Sequence, residues 1–127
     1  MSAAEIDVVE EAELPRLRVG YRWRIVCAAD WLIPGRGVTA RVGGRTVAVF
    51  LLPGDEVVAV DDVDPFSGAS VMSRGLVGEV AGEPTVAAPV YKQRFELRTG
   101  RCLDDDAVAL QTWPARVREG RIEVAVT

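Results

Sequence analysis

The side chains in this sequence equipped for acid–base or metal chemistry are two carboxylate clusters and two cysteines. Asp61, Asp62 and Asp64 form one cluster and Asp104, Asp105 and Asp106 the other. Neighbouring carboxylates can divide the roles of acid and base when their surroundings push their pKa values apart. Both clusters, however, lie in turn-rich sequence, where Asp accepts hydrogen bonds from nearby backbone N–H groups. The expectation is therefore two solvated turns, with Asp64 bracing its own loop. The chain has no histidine, which removes the commonest general base and the imidazole metal ligand. Neither cluster has the ligand spacing of a calcium loop. Cys27 and Cys102 belong to no Cys-x-x-Cys pair and are expected as reduced thiols, at least one of them in the core.

The elements that must position these groups repeat with a period of two. Arg22-Trp23-Arg24-Ile25-Val26 alternates as a half-buried strand does. The segments 38–42 and 45–50 flank Gly43-Gly44, a pair suited to the positive φ angles of a two-residue hairpin turn. Pro53-Gly54-Asp55 makes the next turn, and 56–60 reads as the third strand of a meander. From Asp61 to Pro89 glycine and proline recur, so loops and short strands are expected. Arg94–Leu97 alternates again and ends at Thr99-Gly100, and the segments 115–118 and 121–126 form a hairpin about Glu119-Gly120. Residues 28–32 suit one short helical turn before Pro34. Trp23, Trp31, Trp113, Phe50 and Phe95 are expected in the core.

Composition bounds the reading further. The 127 residues are 49% hydrophobic and 27% charged, the balance of one globular domain. No apolar run approaches the ~18 residues of a membrane span. The first residues lack the basic and apolar regions of a secretion signal, which makes the cytoplasm the expected compartment. Residues 1–15 carry Glu5, Asp7, Glu10, Glu11 and Glu13 and no Lys or Arg, so the net charge of −4 belongs to that leader. It is expected as an acidic flexible tail ahead of a domain over residues 16–127. The dispersed Arg residues and a pI near 4.9 speak against nucleic acid.

Two boxes in the middle of the chain carry a resemblance. Asp64-Pro65-Phe66-Ser67-Gly68-Ala69-Ser70 resembles the first loop of a Rieske iron–sulfur domain, which reads Cys-x-His. Ala88-Pro89-Val90-Tyr91-Lys92-Gln93-Arg94-Phe95 resembles the second, Cys-x-x-His, followed by an aromatic strand ending in Thr-Gly. The four ligand positions hold Asp64, Phe66, Ala88 and Tyr91, whereas the cluster needs thiolates on one iron and imidazoles on the other. With Ser73-Arg74-Gly75 between the boxes and 100–105 after them, the stretch resembles the small subunit of the assimilatory NAD(P)H-dependent nitrite reductase. That resemblance implies an all-β, Rieske-like antiparallel β-sandwich with a loop-rich small subdomain inserted over about 61–103. It also implies a cytoplasmic, non-catalytic subunit without a cofactor or metal of its own. Its partner would be a large subunit that reduces nitrite to ammonium in nitrate assimilation and carries sirohaem, a [4Fe–4S] cluster and FAD. The alternative is a cluster-free Rieske-like binding module of another oxidoreductase complex.

At the tip of such a domain the cluster's imidazoles would meet a redox partner. Here Phe66, Tyr91, Lys92 and Gln93 stand in the same places, with Arg74 nearby, and these five are the expected partner interface. The competing expectation is that Phe66 and Tyr91 turn inward to fill the volume the cluster would occupy, because an unfilled cavity is destabilising. Phe66 is the better filler, and Tyr91-Lys92-Gln93 the better contact surface.

Overall fold

The computed structural model describes residues 20–127, and the acidic leader expected over residues 1–15 lies outside the described residues. Ten strands form three antiparallel sheets. The central sheet has the order β2 (Gly37–Val42), β3 (Arg45–Leu52), β4 (Glu56–Asp61) and β8 (Thr112–Trp113). A second sheet joins β1 (Arg22–Ala28), β10 (Arg121–Val126) and β9 (Ala115–Arg118). The third joins β5 (Leu76–Val80), β6 (Glu83–Ala87) and β7 (Arg94–Glu96) and lies between β4 and β8 in the chain. This all-β sandwich with an inserted small subdomain is the architecture expected from the sequence.

The run Val47–Leu52 is apolar at every position because the central sheet is covered on both faces. Ala48, Phe50 and Leu52 of β3, with Val58 and Val60 of β4, face the inserted subdomain and pack with Met72, Val86, Phe95 and Leu97. Val47, Val49 and Leu51, with Val57 and Ala59, face the other way onto Ile122, Val124 and Val126 of β10. Alternating side chains of one strand thus serve two separate cores.

The turns follow their residue types. Gly43 and Gly44 both have positive φ, at 57° and 84°, which a two-residue hairpin requires. The bases of the two halves are tied by Arg98, which bonds Glu56 at 2.7 Å and Glu83 at 3.1 Å. A single 3-10 turn covers Ala29–Trp31. Trp31 departs from expectation: it is 75% exposed. The turn buries none of its own residues, and the next side chain, Leu32, enters the core instead.

Candidate functional site

The first of the two loops runs from the end of β4 to the 3-10 turn Met72–Arg74, and two buried carboxylates hold it. Asp62 Oδ1 accepts the Ser73 backbone N–H at 2.8 Å, and its Oδ2 accepts the Ser70 hydroxyl at 2.6 Å. Its backbone carbonyl accepts N–H groups from Val71 and Met72. Asp64 Oδ1 accepts the Phe66 N–H and Oδ2 accepts the Ser67 hydroxyl, each at 2.9 Å. The Asp64 backbone also bonds Ala69 and Gly68. Asp64 braces its loop as expected, but neither residue is a solvated turn: Asp62 is 1% exposed and Asp64 fully buried. Each carboxylate is satisfied by neutral donors of its own loop, which is what allows its burial. Asp104 and Asp105 do lie in an exposed turn, where they accept the N–H groups of Arg94 and Ala107.

The second loop leaves β6 at Ala87. Ala88 is fully buried, donates its N–H to Gln93 O at 2.8 Å and accepts that of Lys92 at 3.0 Å. This closes a five-residue bend in which Lys92 takes a φ of 68°, unusual for a residue with a Cβ. Phe66 connects the loops. Its ring lies 6.1 Å from that of Phe95, and it packs against the cluster that contains Ala88 and Cys102.

The four positions therefore divide in two. Positions 64 and 88 are interior, and 66 and 91 lie further out: Phe66 is half-buried and Tyr91 is 61% exposed. Arg74 and Lys92 are exposed, whereas Gln93 is half-buried and its Oε1 has no hydrogen-bond partner. Two apolar side chains at this end were missed from sequence. Leu76, opposite Ala87 in the β5–β6 register, is 78% exposed, and Val90 is 46% exposed. Leu76 opens a strand exposed along most of its length and Val90 lies in the loop after β6, so no alternation of polar and apolar residues marks either.

A [2Fe–2S] cluster does not fit this donor set. Phe66 and Ala88 have no ligand atom, and both Asp64 oxygens are committed to the loop. Tyr91 offers one phenolate where soft iron–sulfur chemistry calls for thiolates. Among the described residues, no three acidic, cysteine or histidine side chains group as metal ligands do. Both cysteines are free; Cys102 is buried, and the thiol of Cys27 is pushed up by burial and then by Asp30. What the arrangement offers is a rigid, self-braced tip with aromatic, aliphatic and cationic groups on its outside.

The Rieske-like [2Fe-2S] domain family matches residues 22–125. The nitrite reductase (NADH) small subunit of Salmonella typhimurium is 42% identical over 104 residues, which cover 81% of this chain and 96% of that one. A Mycobacterium tuberculosis crystal structure, described as a candidate NADH-dependent nitrite reductase small subunit, superposes with a TM-score of 0.82. It is 51% identical, with 84% of this chain and 96% of that chain covered. The nitrite reductase [NAD(P)H] large subunit of Klebsiella oxytoca is 43% identical over 102 residues. Those residues are 80% of this chain but only 11% of that protein.

Proposed function

We propose that this chain, which belongs to the Rieske-like small-subunit family of the nitrite reductases, works as the non-catalytic small subunit of a cytoplasmic NAD(P)H-dependent nitrite reductase. The large subunit performs the reduction of nitrite to ammonium in nitrate assimilation, using sirohaem, a [4Fe–4S] cluster and FAD. The small chain contributes surface and order rather than an electron-carrying centre.

One observation carries this reading: the same domain occurs both as a free-standing relative and as a stretch of a protein named as the large subunit. A covalent link keeps a domain beside its neighbour at high effective concentration. Without the link, the separate chain needs a surface that holds it there. Tyr91, Leu76 and Val90 supply exposed apolar area, and Arg74 and Lys92 supply cations beside it. Aromatic anchors ringed by charge are the common form of such a surface. The side chains of the five expected interface residues divide accordingly: Tyr91, Lys92 and Arg74 contact the partner, while Phe66 and Gln93 support the loops from within.

Co-expression with the large subunit of the same genome tests this. The two chains are expected to co-elute on gel filtration, with Lys92→Glu weakening the complex. Separate elution at micromolar concentrations, with nitrite reduction unchanged by the small chain, would overturn it.

A further inference from the structure

A second exposed apolar surface adjoins the tip. Among the described residues β1 pairs only with β10 and β2 only with β3, so each presents an edge without a neighbouring strand. Between the two edges runs a cleft of about 270 Å3, lined by Ile25, Cys27, Trp31, Val38, Ala40 and Arg41. Ile25 is 58% exposed, Trp31 75% and Val38 39%. Apolar side chains gathered in one place mark a binding surface, whereas scattered ones do not.

The two edges differ as templates for a further strand. β1 is irregular, its register against β10 shifting between Ile25 and Cys27, and a bulge spoils an edge for pairing. β2 pairs with β3 without a shift from Gly37 to Val42. From Val38 to Ala40 it carries no charge or proline to blunt its edge. An extended chain laid along β2 is therefore hydrogen-bonded as an added strand, and Ile25 and Trp31 form the wall against which its alternate side chains pack.

Continuity and charge identify the occupant. The Thr39 and Ser73 hydroxyls share a 2.6 Å hydrogen bond, and Gly37 lies so close to Ser73 that a Cβ would strike its backbone. Ser73 precedes Arg74, so the start of β2 continues the surface that Arg74 and Tyr91 present at the tip. At the other end of β2, Arg41 lines the cleft and Arg24 reaches toward Gly43, its Nη2 3.7 Å from where a Cβ would stand. Both are exposed, and neither forms an ion pair with another described residue. These cations suit an acidic segment, whereas the β2 strand of a second copy brings no carboxylate to meet them. We propose that an extended segment of the large subunit adds to β2 as an edge strand, with apolar side chains against Ile25, Trp31 and Val38 and carboxylates against Arg24 and Arg41. This rests on the small-subunit reading above and extends its contact surface from the tip along the side of the domain.

The test uses the full chain with the large subunit and two readouts. Strand addition hydrogen-bonds backbone, so deuterium uptake by the outward-facing amides of 37–42 should slow about tenfold or more in the saturated complex. Arg24→Glu/Arg41→Glu should weaken binding about tenfold, the scale of exposed pairs lost and reversed, with a urea midpoint near that of wild type. Tyr91→Ala, at the tip, should leave the slowing of 37–42 in place once its complex is saturated. A saturated complex in which 37–42 exchanges as in the free chain would overturn the strand addition and leave the small-subunit reading standing. So would equal affinity of the double reversal. Absence of any complex at micromolar concentrations would overturn both. Protection of the same amides already present in the free chain would also sink the proposal, marking a second copy if it rises with concentration and a segment of the same chain if it does not.

Discussion

Asp64 stands where a cluster domain has a ligand, and its replacement separates a loop brace from a vestigial residue. In Asp64→Ala two hydrogen bonds of 2.9 Å are lost, those from the Phe66 N–H and the Ser67 hydroxyl. A hydrogen bond to a charged group contributes about 1.5–3 kcal/mol, and orphaned buried donors add to the cost of its removal. The desolvation of a fully buried carboxylate runs the other way. The net expectation is a loss of about 2–4 kcal/mol. In urea this lowers the unfolding midpoint at an unchanged m-value, and in a thermal scan it removes on the order of 10 °C or more. Asp64→Asn keeps an acceptor for the Phe66 N–H, and the Ser67 hydroxyl can turn to accept from the new amide, so it costs about 1 kcal/mol or less. An Asp64→Ala protein within ~0.5 kcal/mol of wild type, the range of ordinary surface changes, would refute the reasoning.

Glu56, Glu96 and Asp104 are each held below their ordinary range, foremost by hydrogen bonds from Arg98, from Arg101 and from the Arg94 backbone N–H respectively. Because their folded pKa values are depressed, the stability they add is complete above about pH 4.5 and is lost as pH falls through the lowered values. Urea midpoints between pH 6 and 3 should fall accordingly, less steeply in Arg98→Gln. Gly100→Ala drives a Cβ into the backbone oxygen of Leu110 at a φ of +81°, whereas Gly82→Ala meets nothing within 4 Å at +83°. The second should cost about 1–2 kcal/mol by unfolding, for its left-handed backbone, and the first clearly more. Tyr91→Ala should weaken large-subunit binding about tenfold or more while leaving the urea midpoint nearly unchanged.

Much of the fold was legible because its signals are local. The Gly43-Gly44 and Glu119-Gly120 turns need backbone freedom that a sequence displays openly, and the strands beside them alternate or run apolar. The β5–β6 hairpin was less visible: Ala81-Gly82 is an unremarkable turn, and β5 is exposed along most of its length. The burial of Asp62 was hidden because it depends on Ser70 and on the Ser73 N–H, eight and eleven residues on. Nothing at Asp62 itself announces those partners. Trp31 was misread for the converse reason. An aromatic residue suggests a core, but a single 3-10 turn decides which of two neighbours points inward, and Leu32 does. At the tip, the replaced boxes located positions 64, 66, 88 and 91. Their division into interior and exterior pairs needed the fold.

The most direct measurement is the equilibrium affinity of this chain for the nitrite reductase large subunit, wild type beside Tyr91→Ala and Lys92→Glu. The account predicts a stable complex that both tip substitutions weaken while the folded small chain is unchanged. A large subunit that binds wild type and both variants equally, or binds none of them, would contradict it.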